Sequence, residues 1–303
     1  MEPQKGQDGS TWSQRHESSE QELPAATNFG SAPIMITAFS GWNDAGTAAT
    51  SAVRHIADVF NAELVAMIDA DEYVDFQVNR PQLQVDEDGN RQIVWPHTQL
   101  LVAYSWVHHR RLIFVLGVEP SLQWRSYASE VLLLGQELGA KSLISVGALL
   151  ADNPHSRPLD VEMSSETPSL QQEYGIASST YEGPAGINSV LSFQALELGM
   201  DVVSVWGTVP HYVAQAPSPK AVAALVTKLE ILLGEPIDRY ELDEEAALWE
   251  QGVNLLTQQD PEIAAYVQEL EHQSDSAELP EASGEVIAKE FEQYLRRQDD
   301  DPT

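Results

Sequence analysis

A chain of 303 residues is long enough for one large domain or two smaller ones, and 43% hydrophobic residues can bury a sizeable core. Against that ordinary background stand 47 Asp and Glu and only 16 Lys and Arg, a formal net charge of −31, which excludes a non-specific nucleic-acid coat or an anionic-membrane binder because both ligands are polyanionic. Cysteine is absent, so disulfides, thiolate catalysis, iron–sulfur clusters and cysteine zinc sites are excluded together.

The opening segment, residues 1–31, is rich in Gln, Ser, Glu and Gly and has almost no aliphatic residues. Such a segment cannot offset its ordering entropy, and a disordered N-terminal stretch is expected. It also lacks the apolar stretch of a signal peptide, and no later run reaches the roughly 18 apolar residues of a membrane helix. A cytoplasmic protein is expected.

Residues 32–235 alternate short apolar runs with longer helical stretches. The strands are expected at Ile34–Phe39, Glu63–Ile68, Gln99–Trp106, Leu112–Val118, Ser142–Ala148 and Val202–Val209, rich in Val, Ile, Leu and aromatics and bounded by Gly, Pro or Asp. Helices are expected near 46–60, 123–138, 186–199 and 218–233; in the last, Val222, Leu225, Val226, Leu229 and Leu233 recur at one-face spacing. Several strands are continuous apolar runs, the pattern of a sheet covered on both faces. The fold class that follows is α/β, a three-layer α/β/α core domain. Trp95-Pro96-His97-Thr98 between Gln92–Val94 and Gln99–Trp106 predicts a hairpin, hence an antiparallel member and a mixed sheet. Asp86-Glu87-Asp88-Gly89-Asn90 reads as a hairpin turn rather than a calcium loop.

From 236 to 303 the composition turns helical and acidic. Residues 235–303 hold 20 acidic and 4 basic residues, a net of −16, against −15 for all of residues 1–234 (27 acidic, 12 basic). Glu241–Thr257 and Pro261–His272 form an expected helical hairpin, with Leu248, Leu255, Leu256, Ile263, Tyr266 and Leu270 on its apolar stripes and Asp260-Pro261 opening its second arm. Gly284–Arg297 is a final expected helix, in which Tyr294 packs with Phe291.

Ligands of an open α/β sheet sit beyond the carboxyl ends of its strands, so the loops there are weighed first. Gly41-Trp42-Asn43-Asp44-Ala45-Gly46 joins a strand to a helix, with Gly41 and Gly46 leaving backbone amides free; Asp44 either caps the helix or faces a small polar or anionic ligand. Gly183 and Gly186 do the same around Pro184, with Glu182 as a helix-entry residue or a pocket carboxylate. Glu119 closes one strand, and His211, directly after another, is the best general-base candidate of eight histidines. The candidate pocket is therefore Asn43, Asp44, Glu119, Glu182 and His211. No Walker loop, G-x-G-x-x-G, serine elbow or His-Glu-x-x-His motif is present, so neither a cofactor nor a metal is expected.

These loops in this order resemble the proteasome assembly chaperone 2 family in its long actinobacterial form. The resemblance rests on Phe39-Ser40-Gly41-Trp42-Asn43-Asp44-Ala45-Gly46, on Asp75-Phe76-Gln77 with Arg80-Pro81, and on Gly117-Val118-Glu119-Pro120 with Trp124. It continues through Tyr181-Glu182-Gly183-Pro184-Ala185-Gly186 and Val209-Pro210-His211-Tyr212-Val213. It implies a phosphorylase/hydrolase-like fold, self-association with a homotrimer favoured, and a protein partner, but no known reaction. The Asp299-Asp-Asp-Pro-Thr303 end departs from the hydrophobic-Tyr-any tripeptide of proteasome-binding relatives. The expectation is a non-catalytic, homo-oligomeric, chaperone-like or scaffold protein without a proteasome-docking tail. Its rival is an enzyme acting on a small polar or nucleoside-like substrate, and convergence of the five pocket side chains separates the two.

Overall fold

Apolar runs without polar alternation have to be buried on both faces, and the central strands show how. In a computed structural model that describes residues 29–86 and 88–276, β1 (Ile34–Ser40), β6 (Arg111–Val118), β7 (Ser142–Ala151) and β9 (Asp201–Pro210) run parallel to one another. The outer members are β2 (Glu63–Asp69), β5 (His97–Tyr104) and β8 (Val161–Ser164), giving the order β2-β5-β6-β1-β7-β9-β8. β5 and β8 are antiparallel to their inner neighbours, so the seven-stranded sheet is mixed.

Along β1 the alternation of Cβ direction divides the core in two. Ile34, Ile36 and Ala38 face α1 (Ala48–Val59) and α5 (Pro219–Leu233), whereas Met35 and Phe39 face α2 (Trp124–Glu137) and α4 (Ile187–Glu197). Two helices therefore cover each face, and the three-layer α/β/α architecture stands as expected.

Three elements depart from the sequence expectations. The hairpin lies one turn earlier: β4 (Arg91–Val94) pairs with β3 (Gln82–Val85) across the Asp86–Asn90 turn, not with β5, and the two make a separate two-stranded ribbon. Trp95-Pro96 is only the link from that ribbon into the sheet, where β5 pairs with β2 and β6 instead. β8 and α3 (Pro168–Tyr174), unforeseen, extend the β9 edge.

α6 (Tyr240–Gln259) and α7 (Pro261–Ser276) form the acidic helical hairpin. α6 buries Leu242 and Val253 rather than the expected stripe; Leu248, Leu255 and Leu256 are exposed. The end of the expected disordered segment is ordered: Phe29 is buried against Tyr174, and the Gly30 carbonyl accepts a hydrogen bond from Arg110. The segment before Phe29 and the expected helix Gly284–Arg297 lie outside the described residues.

A staple invisible to local pattern ties the end of α5 to the turn between β5 and β6. Glu235, fully buried, accepts from the main-chain N–H groups of Trp106 (3.1 Å), Val107 (2.9 Å) and His108 (3.0 Å). Arg110, equally buried, donates to the carbonyls of Gly30 (3.1 Å) and Leu233. Burial lowers the Arg110 pKa, and the nearby Glu235 charge opposes that loss.

Candidate functional site at the carboxyl ends of the strands

β1 ends in a turn rather than running straight into its helix. Gly41, at φ 131°, sets the chain back so that the Asp44 N–H donates to the Gly41 carbonyl at 3.1 Å. The Asn43 carbonyl then accepts from Ala148 N–H of β7 at 2.8 Å, which locks the turn onto the sheet. Asp44 is brought beneath the start of α1. Its Oδ1 accepts from the N–H groups of Ala49 (2.8 Å) and Thr50 (3.1 Å), and its Oδ2 from the Thr50 hydroxyl (2.5 Å). Burial raises its pKa and these hydrogen bonds pull it down, with burial the larger effect. The carboxylate accepts three hydrogen bonds from the first turn of α1.

Glu119 performs the same task for α4. Its own N–H donates to the Ser40 carbonyl at 2.9 Å, placing the side chain over the β1 turn. Oε1 accepts from Asn43 Nδ2 at 3.1 Å and from the N–H of Ile187, the first residue of α4, at 2.9 Å. Burial again raises its pKa, opposed by the backbone N–H groups of Ile187 and Trp42. Asn43 lies so close to the chain at Gly186 that a Cβ there would fall 1.8 Å from Nδ2. That close approach, not a special φ, is why residue 186 is glycine.

The five expected pocket residues therefore divide. Asn43, Asp44 and Glu119 converge, and they converge on each other and on two helix ends. Glu182 is exposed, in the loop where the Tyr181 hydroxyl closes onto the Pro184 carbonyl at 2.9 Å. His211 belongs to another group: its Nδ1 lies 2.9 Å from Asp152 Oδ1, and its ring meets Tyr212 and Tyr266 edge-on at 5.7 and 5.5 Å. Beside it, His155 Nδ1 and N–H both meet the Tyr212 hydroxyl at 2.7 Å, while Nε2 meets Asn254 Oδ1 at 3.1 Å. The His155 ring thus bridges Tyr212, after β9, and Asn254 of α6. Burial lowers its pKa. These histidines join the carboxyl ends of β7 and β9 to α6 and α7; they are not aimed at the Asp44–Glu119 cluster.

A feature missed at the sequence level lies on the α1 side of the sheet. An open cleft of about 600 Å³ is lined by Ser40, Thr50, Ser51, Arg54, His97 and Gln99, among others. Arg54 Nη2 donates to Gln99 Oε1 at 2.8 Å, Gln99 Nε2 donates to His97 Nε2 at 2.9 Å, and His97 Nδ1 donates to the Trp95 carbonyl at 2.9 Å. This chain fixes the His97 proton on Nδ1. One signal was available: Thr50, Ser51 and Arg54 share a helix face. Their partners on β5 are set by tertiary pairing. Among the described residues no group of three His, Asp or Glu side chains is placed to hold a metal ion.

A family model described as the PAC2 family matches residues 38–257. The chain belongs to the PAC2 family. A PAC2 family protein from Streptomyces avermitilis shares 44% identity over 78% of this chain and 99% of its own, with a TM-score of 0.72. A Mycobacterium tuberculosis structure described as a proteasome-assembly chaperone homologue shares 35% identity over 77% of this chain and 99% of its own, TM-score 0.70. The Pyrococcus furiosus archaeal proteasome activator PbaB, at 19% identity over 74% of this chain and 93% of its own with a TM-score of 0.60, shares the fold. A search of curated proteins gives no match. In this PAC2 chain two of the loops that carry the family resemblance, Gly41–Gly46 and Gly117–Pro120, meet the starts of α1 and α4, and the first is locked to β7.

Proposed function

We propose that this chain is a non-catalytic, self-associating, chaperone-like or scaffold protein of proteasome-assembly type. The family and the 35% identical mycobacterial proteasome-assembly chaperone homologue support the chaperone-like part. The observation that carries the non-catalytic part is the use to which the loop carboxylates are put. Asp44 accepts from donors at the start of α1, Glu119 Oε1 accepts from Ile187 of α4 and from Asn43, and the general-base candidate His211 lies against Asp152 elsewhere. A reaction needs a base and an acid that meet the same substrate atoms, and the five candidate side chains do not gather around one such position.

The test combines two measurements on the full chain. Purified actinobacterial proteasome α and β subunits are mixed with and without it, and half-particles are followed on native gels; faster appearance is expected, and no change at stoichiometric excess overturns the proteasome assignment. A thermal-shift panel of nucleosides, inorganic phosphate and both together is expected to leave Tm in place. A shift of several degrees, abolished by Arg54→Ala, would instead favour the second reading, a small polar or nucleoside-like substrate in the cleft of Arg54 and His97.

A further inference from the structure

α6 has two apolar sides, and the fold packs on one of them. Leu242, Val253 and Thr257 are buried against the domain. At about 100° per residue, Leu248, Gly252, Leu255 and Leu256 gather on the opposite side. The three leucines there are 67%, 62% and 62% exposed, so among the described residues the stripe stays uncovered. Gly252 sharpens the point. Glycine weakens a helix interior, and a Cβ at residue 252 would meet nothing within 4 Å. Neither a positive φ nor a described neighbour requires glycine there; a hole that admits a bulky side chain from outside does.

The chain's own end is close at hand, because residues 155–157 hold α7 back alongside α6. Asn254 Oδ1 meets His155 Nε2 at 3.1 Å, and Lys220 Nζ donates to Glu250 Oε2 at 2.6 Å and to the His155 carbonyl at 2.5 Å. Next along, the Ser156 hydroxyl donates to Glu271, and Arg157 pairs with Asp275 at 2.7 Å. The described chain therefore stops at Ser276 beside the middle of α6. Seven residues, 277–283, precede Gly284. Extended, they span up to about 25 Å, more than the roughly 10 Å between packed helix axes.

The sequence of that end matches the stripe. In Gly284–Arg297 the apolar residues Ile287, Phe291, Tyr294 and Leu295 have the same spacing as Leu248, Gly252, Leu255 and Leu256. α7 runs back against α6, so a helix returning from α7 runs parallel to α6. Two equal stripes laid parallel set Phe291 opposite Gly252, a large side chain at a hole. Charge agrees. Three glutamates against Lys289, Arg296 and Arg297 leave residues 284–297 neutral. Such a segment avoids the repulsion that a second copy's acidic hairpin would meet at α6, whose first turns hold Glu241, Asp243, Glu244 and Glu245. We infer that residues 284–297 fold back as a helix onto Leu248, Gly252, Leu255 and Leu256 of the same chain, parallel to α6, with Phe291 seated over Gly252. This goes beyond the chaperone-like role proposed above and does not depend on it.

The test uses the full chain, which has no cysteine of its own. Gly252→Cys with Phe291→Cys is expected to close a disulfide within one chain under mild oxidation, seen as a faster band at monomer mass on a non-reducing denaturing gel. Phe193→Cys with Phe291→Cys, which puts the first thiol at an exposed position of α4, is expected to close none. By hydrogen exchange the amides of residues 287–295 are expected to be protected. Leu248→Glu with Leu255→Glu, at positions already exposed, is expected to lower that protection at least about tenfold, while the amides of β1 and β7 keep theirs. Amides of 287–295 that exchange as fast as an unstructured chain overturn the inference, including the case in which a foreign protein covers the stripe. So does a Gly252–Phe291 cysteine pair that closes only between chains or not at all, and so does protection that survives both glutamates.

Discussion

Glu119 shows what a single buried carboxylate does to this fold and how it can be read out. Its pKa is raised by burial from an ordinary value of 4.5, so it binds a proton more tightly folded than unfolded. The stabilisation that accompanies the proton is complete below that ordinary value and is lost as pH climbs through the raised one. Glu119→Gln keeps an oxygen for Ile187 and Asn43 but does not titrate. Between about pH 4 and about pH 7 the variant's Tm is therefore expected to rise relative to that of the wild type, as followed by thermal unfolding; a constant gap would show that Glu119 is not held against its charge. Glu235 makes the opposite point. Glu235→Ala removes the acceptor of three main-chain N–H groups and leaves the Arg110 guanidinium buried without its counter-charge, a loss of about 3–5 kcal/mol in a denaturant titration.

At the scale of elements, α4 is held where it is by a contact between backbone and Asn43. Gly186→Ala forces Asn43 or the helix to move, because no rotamer removes a Cβ placed 1.8 Å away. A loss of about 1–3 kcal/mol is expected, together with faster hydrogen exchange in the first turn of α4; unaltered exchange would show that Asn43 simply swings aside. The elements that could be read in advance are those whose burial is written as composition. β1, β6, β7 and β9 are apolar almost throughout because helices cover both their faces, and the helices around them kept their one-face spacing. Of the β3–β4 ribbon, the Asp86–Asn90 hairpin turn and Gln92–Val94 were legible; β3, its pairing with β4, and β8 were not, for the converse reason. Gln82–Val85 is exposed and β8 has only four residues, so neither buries enough to leave a signature. Both Trp95-Pro96 and Asp86–Asn90 have turn composition, and what decides between them is the pairing of β5 with β2, a tertiary fact. In the site, the loop positions of Asn43, Asp44 and Glu119 at the strand ends are legible from the sequence. Which oxygen meets which helix depends on segments far apart in the chain, and spacing cannot reveal it.

For the whole molecule, the acidic hairpin of α6 and α7 is joined to the sheet through His155, whose burial disfavours the charged ring. His155 has its pKa lowered by burial, so the stability it contributes is present above its ordinary value of 6.5 and is lost as pH falls through the lowered one. Protection factors of the α6 amides around Asn254, corrected for the intrinsic exchange rate at each pH, are expected to fall as pH drops below the ordinary 6.5 of His155, and His155→Gln, which cannot take up the proton, is expected to remove that fall. The −31 charge acts in the other sense across the molecule. Added sodium chloride, screening self-repulsion beyond about 8–10 Å at 0.1–0.15 M, is expected to raise Tm; a fall would mean that local pairs such as Lys220 with Glu250, at 2.6 Å, outweigh the global field.

Asp44 and Glu119 have one more consequence, which follows from their being part of the chain. A helix N-terminus is a ready anion receptor, and here two such receptors already hold anions that never diffuse away. A tethered group competes at an effective concentration far above that of a free solute, which for well-oriented intramolecular reactions reaches about 10⁵–10⁸ M, whereas a dissolved phosphate or carboxylate arrives at millimolar concentration. Mass action then keeps free anions out of the first turns of α1 and α4 at any ordinary concentration. The two helix ends that would most readily have greeted a phosphorylated visitor are, in effect, permanently inhibited receptors, and their ligands have become mortar between the loops.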